Sequence, residues 1–565
     1  MIKKLSLKFG SSPRQNPLSI DVGSVTVFVG PNNSGKSLIL RELDQYCRTG
    51  KPESERFVFD ILEFEAFTLE VANERIDQMQ LSRKSNENVP EGNVLVGKLG
   101  QRNNIGRAQL LEWMLNPNKH GPFFCRYYMS SNTLKLDGAI RMNLINSQTR
   151  GDALETPATS FQVLFNDDKK RHEARRICHD AFQHYLVVDP TNGDQLRLRL
   201  SRRVPASNAE EQGLHSEARE FHKSAQAVAD MGDGVKAFTG MIVETIAGDP
   251  EVLLIDEPEA FLHPSLSFKL GKELSLASSK SGKRLFVSTH SPGFVMGCIQ
   301  SGVDVNIVRL TYDGNIATAR LLSSEELRPL MREPLLRSTR VIEALFYESV
   351  VIGEGDSDRA FYQEINERLL QFGEGKGISN CLFLNAFGWQ SIHKILGPLR
   401  RLGIPVATVI DIDVIKGHGN AWRTLLVSGE YPQTELNSIA QARGDIKTAF
   451  SELDTEDKKM NKMKEEGVAL LSGEVKEAAN NLFDRLDEYG LFVVRIGELE
   501  SWLPKLEVEN RESKSDWLIS AFEKMESDPD SENYLKPDEE LTDVWAFLES
   551  VKMWLKNPAR KGIPD

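Results

Sequence analysis

Gly30-Pro31-Asn32-Asn33-Ser34-Gly35-Lys36-Ser37 spaces two glycines, a lysine and a hydroxyl as a bound polyphosphate requires. The apolar run Val25–Val29 leads into it and a helix-like stretch from Leu38 to Leu43 leads out. A strand, a glycine-bounded loop and a helix start aim the backbone N–H groups around Asn32, Asn33, Ser34 and Gly35, and the helix dipole, at one point. The pattern predicts a nucleoside triphosphate site, with Lys36 at the β- and γ-phosphates and Ser37 at the accompanying Mg²⁺. A glycine-rich turn without a ligand is the alternative, and the full string in strand–helix context argues against it.

A second apolar run, Val252–Ile255, ends in Asp256-Glu257 and continues as Pro258-Glu259-Ala260-Phe261-Leu262-His263-Pro264. Four apolar residues closed by two carboxylates describe a buried parallel strand delivering acids at its carboxyl end, where open α/β sheets bind ligands. Asp256 suits Mg²⁺ and Glu257 suits a water facing the γ-phosphate. A further strand, Arg284–Thr289, runs into His290 and sets an imidazole near the same edge. Between phosphate loop and acids, Met231-Gly232-Asp233-Gly234 opens the amphipathic run Val235–Ile246.

The pattern restarts near residue 346. Ser349–Gly353 reads as a buried strand with Glu354-Gly355-Asp356-Ser357-Asp358 at its end, before a helix from Arg359 to Leu370. Cys381–Asn385 is the next strand, Ser391–Leu402 the next helix, and Pro405–Ile410 a strand ending in Asp411-Ile412-Asp413. Strand–helix alternation predicts a small parallel sheet whose acids meet at one edge. Glu354, Asp358, Asp411 and Asp413 together form a hard oxygen donor set for Mg²⁺ or Mn²⁺. Without a cation they would repel one another and titrate above the usual range. Each acidic string alone also fits a solvated charge cluster.

With 565 residues, 40% hydrophobic and 27% charged, the chain has the composition of a globular protein of at least two domains. The net charge of −13 argues against coating nucleic acid by bulk electrostatics, though not against a local basic groove. Five scattered cysteines lack metal-ligand spacing and read as reduced thiols. No apolar run is long enough for a membrane span and the first residues alternate like a strand, so the expected location is cytoplasmic. The basic runs Lys169–Arg176, Arg197–Arg203 and Lys458–Lys464 read as solvated helix faces or strand edges ahead of DNA tracks. Asp137-Gly138, between Tyr127–Leu136 and Ala139–Ile145, and Asn192-Gly193, between Tyr185–Val188 and Gln195–Leu200, read as two β-hairpin turns.

The ordered set of phosphate loop, Gly-x-Gly helix start, Asp-Glu strand and strand-His resembles the ATP-binding cassette ATPases of the RecF/SMC-like branch. Glu354-Gly355-x-x-Asp358 with Asp411-x-Asp413 looks like a Toprim domain. An ATPase of this branch followed by Toprim is the layout of the OLD (overcoming lysogenization defect) family of ATP-dependent nucleases, and the extended motif through His263-Pro264 resembles that family as well. The resemblance implies an α/β fold: an ABC-type ATPase domain over 1–345 with an arm of helices and β-hairpins around 50–225. A Toprim domain follows over 346–510, with a helical insertion around 415–490, and a helical segment over 511–565. It implies an ATP-hydrolysing, Mg²⁺- or Mn²⁺-dependent DNA endonuclease acting as a homodimer or larger, in which Gly232 and Gly234 of one subunit cap the γ-phosphate held by another. His290 would stand on the γ-phosphate side, and Glu354 would move a proton. On the strand Leu491–Val494 and beyond, Glu500, with Glu498 second, answers to the family's further acid, while Arg495, Lys505 or neither supplies its positive charge. The family implies bacterial anti-phage defence, sometimes beside a helicase or a retron reverse transcriptase with its RNA–DNA hybrid. The rival reading is a RecF-like DNA-binding or signalling ATPase with an inactive Toprim scaffold.

Overall fold

The structure is a computed structural model. It describes all residues except 14, 52–56, 84–86, 98–101, 153–156, 324–326, 328–339, 374, 454–461, 509–512, 538–540 and 565. The polar connector expected from Leu321 to Glu343 and the basic run from Lys458 therefore lie largely outside the described residues. The chain divides into two compact units, Met1–Arg328 and Pro329–Asp565.

The first unit is built on a six-stranded sheet in the order Ala317–Ser323, Val305–Tyr312, Val25–Val29, Arg284–Ser288, Val252–Asp256 and Thr133–Leu136. All neighbours run parallel except Ala317–Ser323, which pairs antiparallel with Val305–Tyr312. Every residue of Val25–Val29 is buried, as a strand covered on both faces demands. Pairing of Ser288 with both Phe28 and Asp256 brings three strand ends to one edge. The helix Lys36–Thr49 leaves that edge and buries Ile39, Leu40, Leu43 and Cys47, a spacing that puts them on one face. They pack with Phe28, Val252, Leu254 and Phe286 in one core.

The Asn192-Gly193 hairpin is present, with Tyr185–Asn192 antiparallel to Gln195–Ser201 and Gly193 at φ 66° in the turn. The Asp137-Gly138 hairpin is not. Cys125–Met129 is a π-helical turn, Ser130–Asn132 continues it, and only Thr133–Leu136 is strand, parallel to Val252–Ile255. Asp137 then accepts a hydrogen bond from the Ile140 N–H (3.0 Å) and caps the helix Gly138–Asn143. Asp-Gly serves a cap as well as a turn, and pairing with a strand distant in sequence selected the cap. The basic runs are also not solvated faces throughout. Arg171 and Arg175 are buried against Glu211, and Arg197 and Arg199 grip the fully buried Asp189 (2.8 and 2.6 Å).

The second unit holds a four-stranded, wholly parallel sheet in the order Cys381–Asn385, Ser349–Gly353, Val406–Asp411 and Leu491–Val494. The expected helix begins earlier than read, at Asp356, because Asp356 and Asp358 in its first turn complement the helix dipole. Between Asp413 and Leu491 the chain is mainly helical, with Gly419–Ser428, Leu436–Leu453 and Gly473–Asp487. The C-terminal helices Lys514–Met525 and Asp543–Lys556 place Trp517, Met525, Trp545 and Leu548 in the core that holds Val351, Phe361, Val409 and Phe492. Arg400, fully buried, donates to the carbonyls of Val406, Gly429, Tyr489 and Gly562.

A C-terminal segment sharing the sheet's core makes a specific demand on stability. Trp517→Ala should destabilise the whole second unit by about 3–5 kcal/mol. Denaturant unfolding followed by a probe in the strand Val406–Asp411 checks it, since a merely appended segment would leave that transition in place.

Candidate functional site

The phosphate loop turns under two backbone constraints. Gly30 has φ 144° and approaches the Leu310 carbonyl so closely that a β-carbon would stand 2.0 Å from its oxygen. Gly35, at φ 92°, is the N-cap of the helix Lys36–Thr49, whose first turn carries no acid and leaves its dipole to a polyanion. The Lys36 ammonium is buried and donates to the Gly30 carbonyl (2.8 Å) and the Pro31 carbonyl (2.6 Å). Burial lowers its pKa to about 8, against the pull of Glu257, Asp256 and Glu259. The Ser37 hydroxyl donates to Asp256 Oδ1 (2.9 Å), and the Ser288 hydroxyl binds the same oxygen. The two residues singled out for Mg²⁺ are thus already joined.

Glu257 sits at φ 49°, strained for a residue with a β-carbon, and its side chain is half exposed. His290 Nε2 stands 3.6 Å from Glu257 Oε1, beyond hydrogen-bond distance, and burial, then Lys36, lower the imidazole pKa and so favour the uncharged ring. The backbone N–H of His290 donates to Glu259 Oε1 (2.7 Å). Arg141, which the sequence reading did not single out, is 2% exposed and donates to the Glu257 carbonyl from beneath. It lies on the helix Gly138–Asn143, mistaken for a hairpin arm, so no local signal announced it. Gly232 is the N-cap of the helix Asp233–Ala247, and a β-carbon on Gly234 would meet the Phe261 carbonyl at 2.6 Å. Only glycine lets that helix start approach the loop after the Asp-Glu pair. Lys236 bonds Asp233 (3.4 Å) within the same turn.

In the second unit the carboxyl edge of the parallel sheet gathers its acids in buried surroundings. The Asp411 backbone N–H donates to Glu354 Oε1 (2.8 Å), and the Gly355 N–H to Asp358 Oδ2 (2.8 Å). Burial, then Asp411 and Asp413, push the Glu354 carboxyl well above the carboxylate range. Burial raises Asp411 to about 7 despite the opposing Lys514. The Lys514 ammonium bridges Asp411 Oδ2 and Asp358 Oδ1 (3.4 Å). Lys464 spans Glu498 (2.9 Å) and Asp413 (3.6 Å).

These two lysines, and not Arg495, stand at the acids. Arg495 faces away, paired with Asp484 (2.7 Å) and Asp487 (2.6 Å). Lys464 had been read as part of a solvated helix face. Lys514 lies 101 residues beyond Asp413 in the chain, and no local pattern ties it to the acids. Glu498 is taken by Lys464, whereas Glu500 is raised by burial and by Glu498. Asp413 Oδ1 and Glu500 Oε2 are buried without a hydrogen-bond partner among the described residues.

The donor set, all carboxylate, fits Mg²⁺ or Mn²⁺ in kind, and two orphaned oxygens with a raised Glu354 mark a site short of positive charge. Among the described residues, however, no three acids, histidines or cysteines stand close enough to hold an ion as they are. The acids fall into two lysine-bridged pairs, Asp358 with Asp411 and Asp413 with Glu498, and Glu354 hangs from the Asp411 backbone.

Comparison with known proteins adds two family matches. Residues 150–296 match "AAA domain, putative AbiEii toxin, Type IV TA system", a span holding Gly232, Asp256, Glu257 and His290. Residues 345–413 match "Overcoming lysogenization defect protein-like, TOPRIM domain", which holds Glu354, Asp358, Asp411 and Asp413. No curated protein matches the chain. Solved structures similar to it include an Smc head bound to the C-terminal winged-helix domain of ScpA, at 14% identity and TM-score 0.34, covering 58% of this chain and 99% of that one. An SMC head domain from Thermotoga maritima matches at 12% identity and TM-score 0.29, covering 57% of this chain and 98% of that one. The sheet, its site and the matched segments define an ABC-type ATPase fold joined to a Toprim domain. The AAA match and the OLD-like Toprim match, in that order along the chain, support an ATPase of the OLD layout.

Two outcomes follow from the geometry. Arg141→Met should lower ATP turnover about tenfold or more through misplacement of Glu257, with nucleotide affinity nearly unchanged, as read by turnover kinetics and fluorescent-nucleotide binding. For Asp411 the folded pKa of about 7 lies above the ordinary 3.8, so its contribution to stability is complete below pH 3.8 and lost as pH rises through about 7. Asp411→Asn should therefore flatten the pH dependence of unfolding in metal-free buffer and be the more stable protein above pH 7.

Proposed function

We propose that the protein is an ATP-dependent, divalent-metal-dependent DNA endonuclease. The observation that carries this reading is the burial of Asp358 and Asp411 at one parallel-sheet edge, with Lys514 across them and Glu354 bonded to the Asp411 backbone beside them. Like charge is gathered out of water there at a cost to stability, as sites that bind cations and phosphates do.

In the ATP site Lys36 releases the loop carbonyls to take the β- and γ-phosphates, Ser37 and Asp256 bind the nucleotide's Mg²⁺, and Glu257 orients the attacking water. A neutral His290 accepts or donates one hydrogen bond on the γ-phosphate side. Gly232 and Gly234 of a second copy close the site, which makes a homodimer or larger the working form.

In the Toprim site Glu354, Asp358, Asp411, Asp413 and Glu500 would hold Mg²⁺ or Mn²⁺. The metal when bound supplies an activated water and charge for the leaving oxygen. Glu354, protonated more readily than an exposed carboxyl, holds or passes a proton at its carboxylate. Lys514 and Lys464 offset the charge of the acids and of the incoming phosphate. Resemblance to the OLD family supports a cytoplasmic role in bacterial anti-phage defence, beside a helicase or a retron reverse transcriptase. Among the described residues no helix is long and apolar enough to cross a membrane.

One observation favours a second reading. Lysine-bridged acids with no ready three-donor cluster also suit a Toprim scaffold that holds DNA uncut under a RecF-like ATPase. Purified protein with linear, nicked and supercoiled DNA, Mg²⁺ or Mn²⁺, and ATP or a non-hydrolysable analogue, separates them. The nuclease reading expects cutting that falls at least a hundredfold in Asp411→Ala with Asp413→Ala and becomes insensitive to ATP in Lys36→Ala. DNA binding without cutting under every condition supports the scaffold.

A further inference from the structure

The second unit's sheet ends on one side in the strand Cys381–Asn385. Strand Cys381–Asn385 pairs with Ser349–Gly353 on one side, and along the other runs a groove of 570 Å³ walled by the helix Asp356–Phe372. That volume suits a drug-sized molecule, and so a single nucleotide's base and sugar.

At the groove's mouth stands Phe387, 58% exposed, with φ 56°. A left-handed backbone is unfavourable for phenylalanine and persists because its neighbours are pinned. The Ala386 N–H donates to the Gly353 carbonyl (3.1 Å) and the Gly388 N–H to the Glu354 carbonyl (2.7 Å). The loop is therefore bolted to the residue that begins the acidic edge, and it holds an aromatic ring out to solvent instead of in the core. A rigid, exposed ring beside the Glu354 edge offers a face on which a flat group can stack.

The chemistry of the walls identifies what stacks there. Arg359 is paired with Asp356 (2.8 Å) and donates to Gln363 Oε1 (3.0 Å), and Asn385 donates to Asp356 (3.0 Å). Arg340 is paired with Glu343 (2.6 Å), and Glu367 adds a further acid. Charges in this groove balance, which is poor for a phosphate. Amides and paired guanidiniums over an apolar floor that includes Leu370 suit a flat, neutral group carrying both donors and acceptors.

We propose that this groove receives an unpaired nucleobase, stacked on Phe387, from the strand whose phosphodiester lies at the Glu354 edge. The proposal rests on the nuclease reading of that edge for its substrate. It makes single-stranded or locally opened DNA the preferred form next to the cut, with the base contact contributing little to the salt dependence of binding.

The test uses the full-length protein in EDTA, so that no cutting occurs, with a fluorescein-labelled single-stranded 12-mer and the same strand carrying 2-aminopurine. Phe387→Ala should weaken single-strand binding about tenfold at low and high salt alike and abolish quenching of 2-aminopurine, while Phe387→Trp restores both and blunt duplex binding is unchanged. Single-strand binding unaffected by Phe387→Ala, or an equal loss for duplex, overturns the proposal even where Asp411-dependent cutting is observed. Phe387-dependent quenching in a protein that never cuts DNA sustains the groove and removes only the nuclease reading.

Discussion

Both units gather carboxylates of like charge at the carboxyl ends of parallel strands, partly buried in the first and more deeply in the second, and both hold a lysine ammonium near them. Taking acids out of water is tolerable only where a cation, a hydrogen-bond donor or a proton answers the charge. In the first unit Asp256 is answered by the hydroxyls of Ser37 and Ser288, with Lys36 buried nearby. In the second, Asp411 is answered by Lys514 and Glu354 by a backbone N–H, yet both remain raised. That residual imbalance is a standing preference for added positive charge.

Parallel strands are what make such edges. In a parallel sheet every strand releases its chain at the same end, so acids far apart in sequence arrive together when register allows. The pairings Asp256 with Ser288, and Asp411 with Val494, show that register in the two units. The helices that follow begin at the same edge and direct their positive ends toward it, as at Lys36–Thr49 and Asp356–Phe372.

Left-handed backbones on residues other than glycine occur in many places, from Gln183 to Asp543, and some of them stand at these edges. Glu257 and Phe261 both have left-handed backbones within one five-residue stretch, and Phe387 has another beside Glu354. Two of the three are held by contacts from outside their own segment: Arg141 donates to the Glu257 carbonyl, and two backbone bonds flank Phe387. Such conformations persist where the surrounding structure over-determines them, and they aim side chains that relaxed loops would let wander.

The local sequence determined the strands, the helices after them and the acids at their ends, because apolar runs closed by Asp or Glu and a glycine-bounded lysine loop are short-range patterns. Val25–Val29, Val252–Asp256, Ser349–Gly353 and Leu491–Val494 were legible for that reason. Only tertiary structure decided whether Asp137-Gly138 would turn a hairpin or cap a helix, since a parallel partner 119 residues downstream chose between two equally sound local uses. It also decided which cations meet the acids. Lys514, Lys464 and Arg141 bear no special spacing, and they matter only because folding brings the lysines against carboxylates and Arg141 against the Glu257 carbonyl.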